Sequence, residues 1–120
     1  MYDRPPMVVI IALSFPSGAY ATAPILAAPG AGLAYRIVGV HVIAWEGIAA
    51  GTAIDGLVRS TSGAPVGWVM VNATSPTDSL PIPGPGIQLP VNDGLEINAA
   101  ANVATNVIRL SVSYYIDAVS

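Results

Sequence analysis

The last stretch of the chain, residues 107–117, alternates apolar and polar positions with a period of two. The apolar or aromatic set consists of Ile108, Leu110, Val112, Tyr114 and Ile116. The mainly polar set between them consists of Arg109, Ser111, Ser113, Tyr115 and Asp117. Successive side chains of a strand point to opposite faces, whereas a helix would scatter this apolar set around its axis. The pattern predicts a half-buried antiparallel strand, which needs partner strands across a core.

Seven upstream segments also have strand-like patterns, at residues 7–14, 20–28, 34–45, 52–60, 66–72, 87–89 and 95–97. Asp93-Gly94 lies between the last two of these and predicts a tight hairpin turn, because glycine supplies a positive φ. Residues 73–86 are rich in proline and predict an extended surface loop without strand pairing. We therefore expect about eight antiparallel strands and no helix.

The segment at residues 34–45 is apolar on both faces if it alternates strictly. Its two sets are Arg36, Val38, Val40, Val42, Ala44 and Tyr35, Ile37, Gly39, His41, Ile43, Trp45. One face can fill the core of the domain, but the other then needs a second cover. In a two-layer protein that cover is another chain, so this pattern predicts a subunit interface.

These elements predict an all-β fold, an antiparallel two-sheet sandwich of jelly-roll type, with a small closed barrel as the alternative. We expect a single β-sandwich domain over residues 7–120. Residues 1–6 contain Pro5-Pro6 and predict an extended N-terminal arm. Such an arm is either a frayed terminus or a clasp on a neighbouring subunit.

Composition changes the picture, because 53% of the residues are hydrophobic and only 9% are charged. A soluble domain usually has about 25% charged residues, so we expect burial in a homo-oligomer. The four basic residues are all Arg and spread along a chain of net charge −3, which argues against nucleic acid as a partner. The longest apolar run, residues 7–13, is far shorter than the roughly 20 residues of a membrane-spanning helix, so we expect no membrane span.

Residues 7–15 also resemble the apolar core of a signal peptide, with Ala19-Tyr20-Ala21 as a cleavage site. An aspartate, an arginine and two prolines precede this run, which favours a strand instead.

No catalytic constellation is visible in the sequence. The chain has no Cys and a single His, His41, so it lacks a cysteine or histidine cluster for a metal. We expect His41 to be a packed or interface residue. Asp93 and Glu96 could form a carboxylate pair, but the turn between the short strands already explains Asp93. The chain is therefore predicted not to be an enzyme and to bind no cofactor or metal.

One part of the sequence resembles a known group of proteins. Residues 86–97, Gly-Ile-Gln-Leu-Pro-Val-Asn-Asp-Gly-Leu-Glu-Ile, are followed by the long strand at residues 107–116 with Tyr-Tyr near its end. This stretch resembles the small all-β decoration, or cement, proteins on capsids of tailed bacteriophages. The resemblance implies homotrimers on the outer capsid surface of the virion, bound many times over to the major capsid protein, with no catalytic residues.

The residues that we expect at subunit contacts lie in the arm, the segment 34–45 and the proline-rich loop. They are Tyr2, Arg4, Pro5, Tyr35, Ile37, His41, Ile43, Trp45, Pro81 and Pro83.

Two alternatives remain. The aromatic set Trp45, Trp68, Tyr35, Tyr114 and Tyr115 is compatible with a carbohydrate-binding β-sandwich module, in which aromatic rings stack on sugars. Exposed aromatics in a row would favour that module, and aromatics at subunit contacts would favour the shell protein. A structural component of a phage fibre or tail is the other alternative.

Overall fold

The computed structural model describes residues 4–15, 18–44, 53–101 and 106–119. These residues form nine strands and no helix, so they also contain no helix able to cross a membrane. The strands are β1 (Met7–Phe15), β2 (Ala21–Leu26), β3 (Leu33–Ala44), β4 (Ala53–Ser60), β5 (Pro65–Asn72), β6 (Thr77–Ser79), β7 (Ile87–Gln88), β8 (Leu95–Ala101) and β9 (Asn106–Ala118).

The strands form two antiparallel sheets. In the first sheet the order is β1-β9-β3, and β3 pairs along its other edge with β6 near its end and with β7 near its beginning. In the second sheet the order is β2-β8-β4-β5. The all-β prediction is confirmed, and the two sheets fit a two-layer sandwich.

One apolar core lies between the two sheets. The first sheet contributes Phe15, Ile37, Val42, Leu110 and Val112, and the second contributes Ile54, Val58, Val71, Leu95 and Ile97, all nearly inaccessible to solvent. The predicted strand at residues 107–117 is confirmed as β9, with Ile108, Leu110 and Val112 pointing inward. Because β9 lies between β1 and β3, it is a central strand of its sheet.

The prediction of strict alternation along β3 was wrong. The register of β3 against β9 shifts between Ile37 and Gly39, which marks a β-bulge. An extra residue at a bulge reverses the parity of the side chains that follow. Tyr35 and Ile37 therefore point inward before the bulge, and Val40 and Val42 point inward after it. Most apolar residues of both predicted faces belong to one core, so β3 no longer requires a second cover.

Two predictions about residues 73–97 were also wrong. The proline-rich segment contains a strand, β6, which pairs with His41–Ile43 of β3. The predicted hairpin does not form, because β7 pairs with β3 in the first sheet whereas β8 pairs with β2 and β4 in the second. The connection crosses from one sheet to the other. Its positive φ is at Asn92, and Gly94 serves close packing, since a Cβ there would lie 2.5 Å from the carbonyl oxygen of Leu26.

Candidate binding surfaces

The described residues contain no group of three or more His, Asp or Glu side chains that could hold a metal ion. His41 lies on the outer face of β3 and is exposed, with its Nδ1 2.7 Å from the hydroxyl oxygen of Ser79 in β6. This contact joins two neighbouring strands and fixes the orientation of the imidazole ring. The histidine is therefore a surface residue, available to a binding partner.

The two carboxylates considered as a pair have separate partners. Asp93 accepts hydrogen bonds from the backbone N–H and the hydroxyl of Ser62, and these bonds lower the pKa of the Asp93 carboxyl. Glu96 accepts a hydrogen bond from Nε of Arg59 at 2.8 Å on the outer face of the second sheet. Asp93 thus ties the loop after β4 to the loop before β8, which is a structural role.

The described part of the N-terminal arm, Arg4 to Pro6, lies beside Tyr115 of β9. The Tyr115 hydroxyl donates a hydrogen bond to the carbonyl oxygen of Arg4 at 2.9 Å, and the Arg4 guanidinium lies 6.0 Å from the centroid of the same ring. Arg4 and Pro5 are exposed. The arm therefore has a defined contact on its own chain, at the end of β9. Tyr2 lies outside the described residues.

Arg36 joins three parts of the chain near this contact. Its Nε donates to Asp117 of β9 at 2.9 Å, and its Nη1 donates to the carbonyl oxygen of Pro85 at 2.8 Å. Its guanidinium also lies 4.6 Å from the centroid of the Tyr115 ring. The hydrogen bond to Asp117 raises the pKa of Arg36, although partial burial opposes the shift. Sequence analysis missed this pair because its members are 81 residues apart in sequence.

The proline-rich loop is held against the first sheet on both sides of Pro81 and Pro83. The N–H of Leu80 donates to the carbonyl oxygen of Val40 at 3.1 Å, and the N–H of Leu89 donates to that of Tyr35 at 2.8 Å. Pro81 and Pro83 themselves are exposed. They form a rim that a partner could contact without any change in the sheet.

Two of the residues expected at subunit contacts lie in the core. Ile37 is fully buried, and Tyr35 packs edge-on against Tyr114 with ring centroids 5.3 Å apart. Their side chains are inaccessible to a partner while the two sheets are packed together, because the bulge in β3 turns them inward. Trp45 lies outside the described residues.

The outer face of the first sheet is weakly charged and partly apolar. β1 exposes Val8 and Ile10, and β3 exposes His41 and Ile43. Small polar side chains of β9 lie between these strands, since Ser111 pairs with both Ile10 and His41. Ile43 and His41 therefore share one surface with β1.

The aromatic residues are distributed differently from the predicted set. Trp68 is exposed on the outer face of β5, whereas Tyr35 is buried and Tyr115 is covered by arginine side chains. A second exposed aromatic, Tyr20, was not in that set, although it begins the strand-like segment predicted at residues 20–28; in the structure it immediately precedes β2. Only its contact with β4, described below, places it on the outer face of the second sheet.

Comparison of the chain with models of known protein families finds none that matches, and comparison with curated protein sequences finds no match either. The functional argument for this chain therefore depends on its own surfaces.

Proposed function

We propose that this protein is a structural, non-enzymatic capsid decoration protein, or cement protein, of a tailed bacteriophage. In this role it binds the outer surface of the virion as a homotrimer and bridges subunits of the major capsid protein. The observation that carries the proposal is β1, a nine-residue strand at the edge of the first sheet that contains no charged residue.

An exposed edge strand offers backbone hydrogen-bonding groups to another chain, and proteins usually block such edges. Within the described residues, each of the other edge strands has a feature that hinders such pairing. β2 has Pro24 and a register shift beside it, and β5 has its Met70 N–H bonded to the carboxylate of Asp78 at 2.9 Å. β6 and β7 are only three and two residues long. β1 has none of these features, which supports the addition of a partner strand there.

The apolar side chains of β1 set the strength of such a contact. Met7, Val8 and Ile10 are 45%, 55% and 61% exposed. Full burial of one such side chain contributes about 1.5–3 kcal/mol, so covering these three half-exposed side chains contributes roughly 3 kcal/mol per copy. This is a weak contact by itself. A trimer that engages several capsid subunits gains strength because its second and third contacts are intramolecular.

The sparse charge of the chain supports self-association as well. On the outer face of the first sheet, we consider the cross-strand rows from that of Val8 to that of Ile43. The described outward-facing positions of β1, β9 and β3 in these rows contain one charged residue, Arg109. We assign contacts between copies to the β3 side of this outer face, where His41 and Ile43 lie, and contacts with the capsid to the β1 edge. The arm, with Arg4 and Pro5, and the rim at Pro81 and Pro83 are then available to the capsid.

We further infer that the sandwich has jelly-roll topology. The strand order supports this: β1 neighbours β9, β2 neighbours β8, β3 neighbours β6 and β7, and β4 neighbours β5. Such nested pairing arises when one long antiparallel hairpin folds over into two sheets, which is the jelly-roll arrangement.

The experiment compares purified shells with no decoration protein and shells decorated with the wild type, Ile10→Asp or Val91→Asp. Val91 is a matched control, because it is 47% exposed but lies in the loop between β7 and β8. We expect the wild type and Val91→Asp to bind in many copies and to raise the temperature of shell rupture. Ile10→Asp should lose occupancy, because it places a charge on the edge strand while leaving the core intact.

Two results would reject the proposal. Shells that rupture at the same temperature with and without bound protein would exclude a cement role. Particles that carry only a few copies at the tail would favour the fibre or tail alternative instead.

A further inference from the structure

The outer face of the second sheet has a row of side chains that runs across all four strands. Trp68 of β5 pairs with Leu57 of β4, which pairs with Asn98 of β8, which in turn pairs with Thr22 of β2. With strands about 4.8 Å apart, this row is roughly 14 Å long. The side chain of Trp68, at one end of this row, is 58% exposed. The face is therefore long enough for an extended ligand and has an accessible indole ring at one end.

Polar side chains on this face are held in place by one another. The Tyr20 hydroxyl donates to Oδ2 of Asp55 at 2.9 Å, and Nδ2 of Asn98 donates to the hydroxyl of Thr22 at 2.9 Å. Asp55 is adjacent to the Trp68 row, because it lies two residues before Leu57 on β4. The hydrogen bond to Asp55 also raises the pKa of the Tyr20 phenol.

These pairs retain further hydrogen-bonding capacity. A carboxylate accepts about four hydrogen bonds, and Asp55 uses one of them for Tyr20. A side-chain amide offers two N–H donors and a carbonyl oxygen, and Asn98 uses one donor for Thr22. The ion pair between Arg59 and Glu96 lies two residues along from Leu57 and Asn98 on the same face. The face thus combines one exposed ring with preoriented donors and acceptors on both sides of its central row.

The occupant that fits this combination is a sugar. A protein partner that formed a dry contact here would desolvate the carboxylate of Asp55 and the Arg59–Glu96 pair, which is costly. Sugar hydroxyl groups instead replace water in bonding to such groups, while the apolar face of a sugar ring packs on the indole. With Asp55 negative and Arg59 balanced by Glu96, the face favours an uncharged glycan over an acidic one.

We propose that the outer face of the second sheet, formed by Trp68, Leu57, Asn98, Tyr20 and Asp55, binds a neutral oligosaccharide. Trp68 stacks on one sugar ring, and Asp55 and Asn98 bind hydroxyl groups of the same or the next ring. This site is on the opposite side of the sandwich from the outer face of β1, so it neither requires nor obstructs binding to a capsid. It goes beyond the proposed shell function and is independent of it.

The test uses the full chain and soluble neutral oligosaccharides of glucose, galactose, mannose and N-acetylglucosamine as probes. Binding is followed by saturation-transfer NMR and isothermal titration calorimetry. We expect at least one probe to bind, Trp68→Leu to weaken it by about tenfold, and Trp68→Phe to restore part of the affinity, because the loss is one of ring stacking. Asp55→Asn should weaken binding as well, since the amide has one acceptor oxygen fewer.

Val91→Ala serves as the control, since Val91 is exposed in the loop between β7 and β8 and belongs to none of the four strands of this face, and it should bind as the wild type does. Absence of binding to every probe at millimolar concentration would overturn the proposal, and so would equal affinity of the wild type and Trp68→Leu. A Trp68→Leu variant that loses capsid occupancy, in a protein that binds no probe, would assign the face to the shell instead. Ile10→Asp distinguishes the two functions, because it should lose the capsid and keep the glycan.

Discussion

Gly56 is the position where the structure tolerates an added methyl group least in the second sheet. It lies in β4, between β5 and β8, and points into the core opposite Ala99. A Cβ at Gly56 would lie 2.5 Å from the Cβ of Ala99 and 2.9 Å from the carbonyl oxygen of Asn98. Carbon atoms prefer a separation of about 3.5–4.0 Å, so Gly56→Ala must move β4 away from β8.

Gly39 gives a matched control for this substitution. It also lies in a long strand, neither glycine has a positive φ, and a Cβ at Gly39 would lie 3.6 Å from the side chain of Ser113, an ordinary contact. Replacing Gly by Ala stabilises a protein by about 0.4–1 kcal/mol through the unfolded chain when the site accepts the methyl group. Overpacking costs about 1–3 kcal/mol. We therefore expect Gly39→Ala to be neutral or slightly stabilising and Gly56→Ala to destabilise by about 1–2 kcal/mol.

The assay is urea unfolding of the two variants and the wild type at one protein concentration, followed by circular dichroism. The free energies of unfolding can be compared if their slopes against urea concentration agree, because this slope reports the surface area that unfolding exposes. Equal midpoints for the two variants would refute this account of the β4–β8 contact. A Gly56→Ala variant more stable than the wild type would show that the two strands separate without cost.

Three further predictions concern the surface. Asp117→Ala removes the ion pair with Arg36; the side chains of Asp117 and Arg36 are 28% and 29% exposed. We expect the free energy of unfolding to fall by about 0.5 kcal/mol and unfolding in urea to stay cooperative. Asp93→Asn should reduce the loss of stability in acid. Hydrogen bonds from Ser62 lower the pKa of Asp93 in the folded protein, so the carboxylate stabilises the fold above its ordinary pKa of 3.8, and this contribution disappears as the pH falls through the lower folded pKa. Identical curves of unfolding midpoint against pH for the wild type and the variant would contradict this. Deletion of residues 1–6 should leave the protein folded and its oligomeric state in sedimentation unchanged, and it should reduce occupancy on shells. Full decoration without the arm would show that the arm contributes nothing to binding.

The sequence pattern predicted the strands whose alternation is regular. β9 alternates without interruption because one of its faces packs on the second sheet along most of its length, and its inward residues Ile108, Leu110 and Val112 are those predicted. The strand-like segments 52–60 and 95–97 likewise lie in β4 and β8, which bury Ile54, Val58, Leu95 and Ile97. Such strands are predictable because burial of one face fixes both the period and the register.

The failures occurred where the pairing of the chain depends on distant residues. The bulge between Ile37 and Gly39 inserts a residue opposite β9. A glycine inside a strand, here Gly39, often marks a bulge, but it does not show which neighbouring strand the bulge faces. The loop at Asp93-Gly94 has the composition of a hairpin turn, yet its flanking strands pair with β3 and β4, far away in sequence. Turn propensity indicates where the chain bends but not which sheet the next strand joins.

The candidate surfaces also combine residues that a local sequence pattern can indicate with contacts that depend on distant residues. His41 and Ile43, which the sequence predicted at subunit contacts from their strand position, are exposed on β3. The contacts of Tyr20 with Asp55 and of Arg36 with Asp117 join segments 35 and 81 residues apart, and they depend on the pairing of strands between them. Polar partners across a sheet can be predicted only once its strand order is known.

The two proposed surfaces differ in the kind of partner that each accepts. β1 presents an uncharged backbone edge with half-exposed Val8 and Ile10, which suits a dry, strand-like contact. The second sheet presents Trp68 among ordered polar groups such as Asp55, which suits a hydrated ligand. Because the outer faces of the two sheets point in opposite directions, a copy held to a shell through the first sheet leaves the second facing solution. Each surface can therefore be removed by substitution without loss of the other, and a variant that lost both at once would show that the sheets do not act separately.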